Sequence, residues 1–341
     1  MKIVCPLCSG KVKIKKRYIK CTKCKKKWRF IENIPSFVSV KFSSSFGLLS
    51  DLIEMKIIEK IEKEGFESAI NFIRRKYPNI LERIFNRFIR SYLYLGDLKS
   101  RKRCLEIGSG YGALTIELSK IYKEVISMDI SFQRVKFIKH RLTHLKIKNV
   151  KLIHCDAFNL PFPKDYFDCI YLVGVLEWIP LSYEGNPREV QINFLKYLKE
   201  KIKKGGKVIV GIENRFGIQY FLGWKDHNGL WGTNLLPRWL ANIYSQLALK
   251  SEYRTYTYSF NGYRKLFLDA GFKNVEIYAP LRSYRFPRFM IKCNKDSFNF
   301  FFKKVIIPSD LKEKIAIKLF SLLPFFIQKL IVPHYVIRCT K

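Results

Sequence analysis

The stretch Cys104-Leu105-Glu106-Ile107-Gly108-Ser109-Gly110-Tyr111-Gly112 decides how this chain folds. An apolar strand pattern, Arg103–Ile107, runs into a turn with glycine at 108, 110 and 112, and the turn opens a helical pattern over residues 113–120. Glycine lets backbone take positive φ and approach a ligand closely. On its own such a loop is a weak nucleotide signal. Two carboxylates sharpen it. Asp129 ends the next strand pattern, Glu124–Asp129, about twenty residues after the first glycine, where an acid suits a ribose diol. Asp156 follows a third strand pattern, residues 150–155, and suits an adenine amino group. Glu106, two residues ahead of Gly108, adds an acid that faces a cationic ligand.

Working outward, strand patterns recur at Phe167–Val173 and residues 207–212, with helical patterns between them. That alternation means an α/β fold with a doubly wound, mostly parallel sheet, whose ligand lies at the carboxyl ends of the strands. Gly205-Gly206 reads as the tight turn before the fifth strand. A sixth strand is expected at residues 275–279 and a last one at 335–340, leaving residues 299–333 as a large insertion.

Glu106-Ile-Gly-Ser-Gly-Tyr-Gly112, Asp129, Asp156-Ala-Phe-Asn-Leu-Pro-Phe162 and the run FDCIYLVGVLEW (167–178) together resemble the class I S-adenosylmethionine-dependent methyltransferases of type 11. The resemblance covers residues 99–215. It implies a seven-stranded Rossmann-like sheet and S-adenosylmethionine as methyl donor. It also implies that Gly108, Gly110, Tyr111 and Gly112 wrap the methionine and ribose, that Asp129 accepts from the ribose hydroxyls, and that Asp156 and Ala157 border the adenine. Gly108–Ala113 also reads G-x-G-x-x-A, the fingerprint of a nicotinamide oxidoreductase. Glu106 stands where such folds carry an apolar residue, and the block 156–178 is foreign to them.

The donor carries its own leaving-group activation, so positioning supplies much of the catalysis, and an acceptor that must lose a proton also needs a base. The fourth strand is followed by Gly174-Val-Leu-Glu-Trp178, not Asn/Asp-Pro-Pro-Tyr, which disfavours exocyclic base amines. No cysteine ends the fourth or fifth strand pattern, which disfavours cytosine C5 chemistry. The stretch 211–230 (GIENRFGIQYFLGWKDHNGL) is too rich in glycine, tryptophan and mixed polar groups for a plain helix. Aromatics beside carboxylates and amides suit a sugar, and with residues 261–280 and 282–287 the stretch resembles methyltransferases of cell-surface polysaccharide assembly. His227 and Asp226 are the candidate general bases, within an acceptor-site insertion around 211–260.

Cys5-Pro-Leu-Cys8 and Cys21-Thr-Lys-Cys24 form two C-x-x-C knuckles twelve residues apart. Four thiolates so spaced close a tetrahedral zinc site with no open position. About thirty residues are too few to fold without such a staple. The alternating pattern over residues 11–20 suits a hairpin. Residues 1–40 therefore read as a zinc ribbon, residues 41–98 as a helical linker with a Ser-rich start at 42–47, and residues 99–341 as the methyltransferase domain. Helices are expected over 48–64, 66–77 and 80–95, serving either to cover the donor or to pack on the sheet edge.

The formal charge is +36, which favours anionic partners. Residues 1–30 carry twelve Lys/Arg and no acid, and residues 281–341 carry thirteen against three acids. Apolar residues make up 48% of the chain, ample for a core, yet no run reaches the ~20 needed to span a bilayer. Cys5 and Cys8 interrupt what a signal peptide would need. A cytoplasmic enzyme is expected. The basic apolar segment around 298–334 either covers the sheet as core helices or lies on an anionic membrane face. The acceptor reads as a small molecule or a glycan, with lipid-linked polysaccharide among the candidates. RNA, bound through the basic ribbon, stands as the alternative.

Overall fold

The structure is a computed structural model. It describes residues 1–38, 49–96, 102–308 and 310–341, without the side chains of 312 and 313. The expected Ser-rich linker at 42–47 lies outside the described residues. The chain divides into two compact units, residues 1–173 with 197–208 and 341, and residues 174–196 with 209–340.

In the first unit, strands β1 (Val12–Ile14), β2 (Tyr18–Cys21), β3 (Lys27–Ile31) and β4 (Ile34–Ser36) form an antiparallel meander. The hairpin expected over 11–20 is its first half. The main strands are β5 (Arg103–Ile107), β6 (Glu124–Asp129), β7 (Val150–His154), β8 (Phe167–Val173) and the start of β9 (Ile202–Glu213). Their order is β1-β2-β3-β4-β7-β6-β5-β8-β9, and β7, β6, β5 and β8 run parallel. β8 is buried along almost its whole length, as a strand covered on both faces must be. The meander is not a tethered module. Ser36 pairs in parallel with His154, Phe37 N donates to His154 O (2.8 Å), and Val4 N donates to Pro161 O (3.0 Å). Gly205 and Gly206 do not make a turn before the fifth strand. They lie inside β9, with Gly205 at φ +75°.

Helices α1 (Asp51–Glu64), α2 (Phe66–Lys76) and α3 (Pro78–Ile84) precede β5. Ile57, Ile58 and Ile61 of α1 join Ile70, Ile73 and Ile84 in one buried cluster with Phe137. Phe137 belongs to α5 (Phe132–His144), whereas α4 (Ala113–Ser119) leads out of the glycine turn. The helix expected over 80–95 is broken: α3 ends at Ile84 and a separate 3₁₀ segment runs over Phe88–Leu95.

α6 (Pro187–Lys201) starts in the second unit and ends in the first. The second unit holds the end of β9, then β10 (Lys273–Arg282), β11 (Pro287–Lys292) and β12 (His334–Thr340), in the order β9-β12-β10-β11. β10 is antiparallel to both its neighbours. The two late strands expected from the sequence are β10 and β12; β11 is a hairpin partner that was not expected. The seven-stranded expectation is corrected to twelve strands, because the meander adds four and β11 adds one. Short α7 (Ile218–Phe221), α8 (Arg238–Leu249), α9 (Phe260–Asp269), α10 (Lys295–Phe300), a π turn (Phe301–Val305), α11 (Leu311–Leu322) and α12 (Phe325–Ile331) complete the unit. Tyr263 and Phe267 of α9 pack in its core with Tyr335 and Ile337 of β12.

Candidate active site

In the first unit β5 delivers the chain into the glycine turn, and Gly108, Gly110 and Gly112 all take positive φ, at +70°, +54° and +78°. A Cβ on Gly112 would lie 3.0 Å from Ile138 Cγ1, so glycine is needed there for close approach as well as for conformation. The turn is tied to the end of β6. Gly108 N and Ser109 N both donate to Met128 O (2.9 and 3.0 Å), and Gly110 N donates to Asp129 Oδ2 (2.9 Å). Asp129 is buried, and its other oxygen accepts from Ser131 N (2.9 Å), one residue before α5 begins. Each oxygen keeps a lone pair for a ligand hydroxyl. Asp156 is buried past the end of β7, where its Oδ1 accepts from Phe158 N (3.0 Å). Ala157 is half-buried beside it, and Phe158 stacks on Tyr197 (6.0 Å between centroids, 26°).

Two expected donor residues are spent otherwise than sequence suggests. The Tyr111 hydroxyl donates to Glu54 Oε1 (2.9 Å) and its ring meets Phe137 edge-on, so its side chain is committed to packing. Glu106 is buried and accepts from Thr115 Oγ1, which also meets Ser127 Oγ at 3.0 Å. Burial pushes the Glu106 carboxyl up to about 8, the Asp129 charge adding to it while the Thr115 bond and Arg141 oppose it. It therefore carries its proton at neutral pH until a cation arrives. Glu54 was missed. It is buried on α1, takes bonds from Tyr111, Ser131 Oγ (3.1 Å) and Arg134 Nε (2.9 Å), and so ties the glycine turn to the start of α5. No local signal in the sequence marks it.

In the second unit three side chains from distant parts of the sequence converge. Gly174 follows β8 and sits at φ +69°, where a Cβ would lie 2.8 Å from Tyr284 Oη. Three residues on, Glu177 is fully buried and neither of its oxygens has a hydrogen-bond partner. Glu213 is the last residue of β9. Its Oε1 accepts from Tyr284 Oη (2.9 Å), and its Oε2 has no hydrogen bond. His227 Nε2 lies 3.6 Å from Glu177 and 3.4 Å from Glu213, its Nδ1 lies 3.3 Å from Asp226, and Trp178 meets its ring edge-on at 4.8 Å. Burial pushes the Glu177 carboxyl up to about 7, helped by the Glu213 charge. Burial acts upward on Glu213 too, but His227 and Arg285 more than offset it and hold that group below the usual carboxylate range. Burial alone would lower His227; Glu213, Asp226 and Glu177 instead raise it well above the usual imidazole range.

The two candidate bases therefore fare differently. Asp226 is corrected to an anchor. Its oxygens accept from His227 N (2.6 Å), Thr233 Oγ1 (3.0 Å) and Tyr253 Oη (2.5 Å), which leaves it no free side for an acceptor. His227 sits among carboxylates, which favour its charged form. Asn214 and Arg215 are likewise structural: Asn214 Nδ2 donates to Leu330 O and Val332 O, and Arg215 to Asn234 O and Leu236 O. Glu177 was missed as a site residue, although an acid closing the uncharged run 169–176 could have flagged it.

Cys5, Cys8, Cys21 and Cys24 come together in the first unit, with all four sulfurs within 4.8 Å of one another. Cys21 Sγ accepts from Lys23 N (3.3 Å) and Cys24 N (3.4 Å), bonds that suit a thiolate.

Residues 105–210 match the family model described as a methyltransferase domain. That span contains the glycine turn, Asp129, Asp156 and Glu177. The ubiquinone/menaquinone biosynthesis C-methyltransferase UbiE of Pseudomonas savastanoi pv. phaseolicola is 27% identical over 134 residues, 38% of this chain and 48% of the relative. The demethylmenaquinone methyltransferase of a Geobacillus species is 25% identical over 202 residues, 56% of this chain and 77% of the relative. The chain thus spans 48% of the length of the first curated relatives it matches. Among solved structures, Haemonchus contortus phosphoethanolamine N-methyltransferase 2 in complex with S-adenosyl-L-methionine is 15% identical with a TM-score of 0.45, covering 86% of this chain and 60% of that one.

Proposed function

We propose that this protein is an S-adenosylmethionine-dependent methyltransferase acting on a glycan or small-molecule acceptor at a membrane surface. The observation that carries the activity is the glycine turn bonded to Asp129, inside the matched methyltransferase domain. Asp129 would hold the ribose hydroxyls and Asp156 the adenine amino group, with Ala157 and Phe158 along the ring. The bound donor would supply a methyl on a positively charged sulfur; an acceptor lone pair would attack that methyl in line, and the sulfur would leave with the C–S electron pair as S-adenosylhomocysteine. Glu106 would lose its proton as that cation arrives, giving a buried counter-charge.

The membrane reading rests on exposed apolar side chains. Leu311, Ile315, Leu319 and Leu322 form a stripe on α11 at helical spacing, and each is at least half exposed. Phe298, Phe301 and Val332 of the same segment are buried, so it packs on the protein by one part while the α11 stripe stays uncovered. Trp224, Trp231, Trp239, Phe221 and Leu222 are also exposed. Gln219, two residues before Phe221, donates from Nε2 to Pro333 O (3.1 Å), two residues past α12. Lys303, Lys304, Lys314 and Lys318 are exposed along the same segment. Tryptophans and lysines around apolar residues suit an anionic bilayer surface. No helix among the described residues is long and apolar enough to cross a membrane. Flotation with phosphatidylglycerol vesicles should carry the protein up, phosphatidylcholine vesicles should carry much less, and Leu319→Ser with Leu322→Ser should weaken both. Equal behaviour of the double variant and the parent would remove this support.

The basic ribbon favours RNA as a second reading, since Lys13, Lys15, Lys16, Arg17, Lys25 and Lys26 are exposed. The names of the curated relatives raise quinone precursors as another acceptor class. One assay separates them: methyl-labelled donor, purified protein, and separate membrane, polysaccharide, quinone and RNA fractions. Label is expected in a glycan or glycolipid, and transfer to RNA alone would end the first reading. We also propose that zinc fills the cysteine cluster, where four thiolates close its coordination and confine it to a structural part.

A further inference from the structure

We propose that Glu177, Glu213 and His227 form a divalent-cation site in the second unit, distinct from the cysteine cluster. One ligand atom from each lies within 4.8 Å of the others. His227 Nε2 faces both carboxylates at 3.4 and 3.6 Å, and neither approach is a hydrogen bond. Those separations suit ligands around one ion, since metal–ligand bonds of ~2.1 Å at angles near 110° set neighbouring ligand atoms about 3.5 Å apart.

The orphaned atoms carry the argument. Glu177 is 0% exposed, yet both its oxygens lack hydrogen bonds, and Glu213 Oε2 lacks one too. Buried carboxylates are paired, hydrogen-bonded or bound to a metal. An imidazolium shared between the two acids would supply charge but leaves all three oxygens without a hydrogen bond. A cation between them satisfies all three groups at once.

The surroundings fit. Ligating imidazoles place their second nitrogen on a carboxylate, and His227 Nδ1 faces Asp226, which is itself fixed by Thr233 and Tyr253. Ligating carboxylates are also held from behind, and Tyr284 Oη holds Glu213 Oε1. Arg285 Nε in turn donates to Tyr284 Oη (2.6 Å). With His227 neutral, Glu177, Glu213, Asp226 and Arg285 sum to a charge of −2, which one divalent ion balances. Two carboxylates with one imidazole suit Mn²⁺, Fe²⁺ or Mg²⁺ better than a soft thiophilic metal.

Both acids leave the carboxyl ends of β8 and β9, the end at which such a sheet binds its ligands. A cation there would hold an acceptor oxygen and favour its deprotonation. That catalytic use rests on the methyltransferase reading; the occupancy of the site does not.

The test is Mn²⁺ titration of the full-length protein with its ribbon preloaded with zinc, read by the electron paramagnetic resonance signal of free Mn²⁺. One Mn²⁺ per chain is expected to bind. Glu177→Gln and Glu213→Gln should each weaken it by about 100-fold. Circular dichroism and S-adenosylhomocysteine binding check that the variants are folded, because the donor residues belong to the first unit. Absence of Mn²⁺ binding at millimolar concentration, or folded variants that titrate like the parent, would overturn the inference. Methyl transfer that persists without Mn²⁺ binding would sink this site alone; Mn²⁺ binding without methyl transfer would sink the proposed function alone.

Discussion

Asp129→Ala is expected to lower the affinity for S-adenosylmethionine by at least about 100-fold, with methyl transfer falling in step at fixed donor. The carboxylate does two things at once. It accepts from Gly110 N and Ser131 N, both at 2.9 Å, and so sets the shape of the glycine turn before any ligand arrives. It also offers its remaining lone pairs to the ribose. Hydrogen bonds to a charged group are worth about 1.5–3 kcal/mol each. Losing the ribose contacts alone therefore reaches two orders of magnitude, and a disordered turn adds to it. Asp129→Asn keeps one acceptor oxygen for Gly110 and should lie between alanine and the parent. A donor affinity within threefold of the parent in the alanine variant, measured by equilibrium dialysis, would show that Asp129 only shapes the loop.

If zinc fills the cysteine cluster as proposed, stripping it, or changing Cys8 to Ser, is expected to unfold residues 1–38 while leaving β5, β6 and β8 intact. The meander is too small to be stable alone, and structural zinc supplies roughly 10–16 kcal/mol in comparable modules. Its contacts with the rest of the first unit include Phe37 N to His154 O, Val4 N to Pro161 O, Lys2 N to Tyr166 Oη and the Lys136–Glu32 ion pair. Hydrogen exchange reads this directly. The amides of Val4, Cys21 and Phe37 should lose protection, whereas Ile126 and Ile170, buried at the centre of the sheet, should keep theirs. Protection at Phe37 that survives complete removal of metal would mean that packing on β7, not the metal, holds the ribbon.

These two regions were also the most legible in the sequence, for a physical reason. A glycine turn after a strand and a pair of C-x-x-C knuckles are local patterns whose partners lie close along the chain. β5, β6 and β8 accordingly fall where their apolar runs place them. What could not be read depends on distant partners. β4 is three residues long and pairs along its length with β3, but its parallel contact with β7, at Ser36 and His154, joins residues far apart in the sequence. Glu54 looks like an ordinary surface acid of α1 until Tyr111, Ser131 and Arg134 close on it. Loop composition picked out Asp226 and His227 together, but only the bonds from Thr233 and Tyr253 separate the anchor from the residue that faces Glu177 and Glu213. Apolar periodicity in α11 likewise says that one face seeks cover without saying whether protein or lipid provides it.

The most direct test is calorimetric titration of the full chain with S-adenosylhomocysteine, run beside NAD⁺. The account predicts one tightly held S-adenosylhomocysteine per chain and no heat from NAD⁺. Absence of S-adenosylhomocysteine binding, or a preference for the dinucleotide, would contradict it.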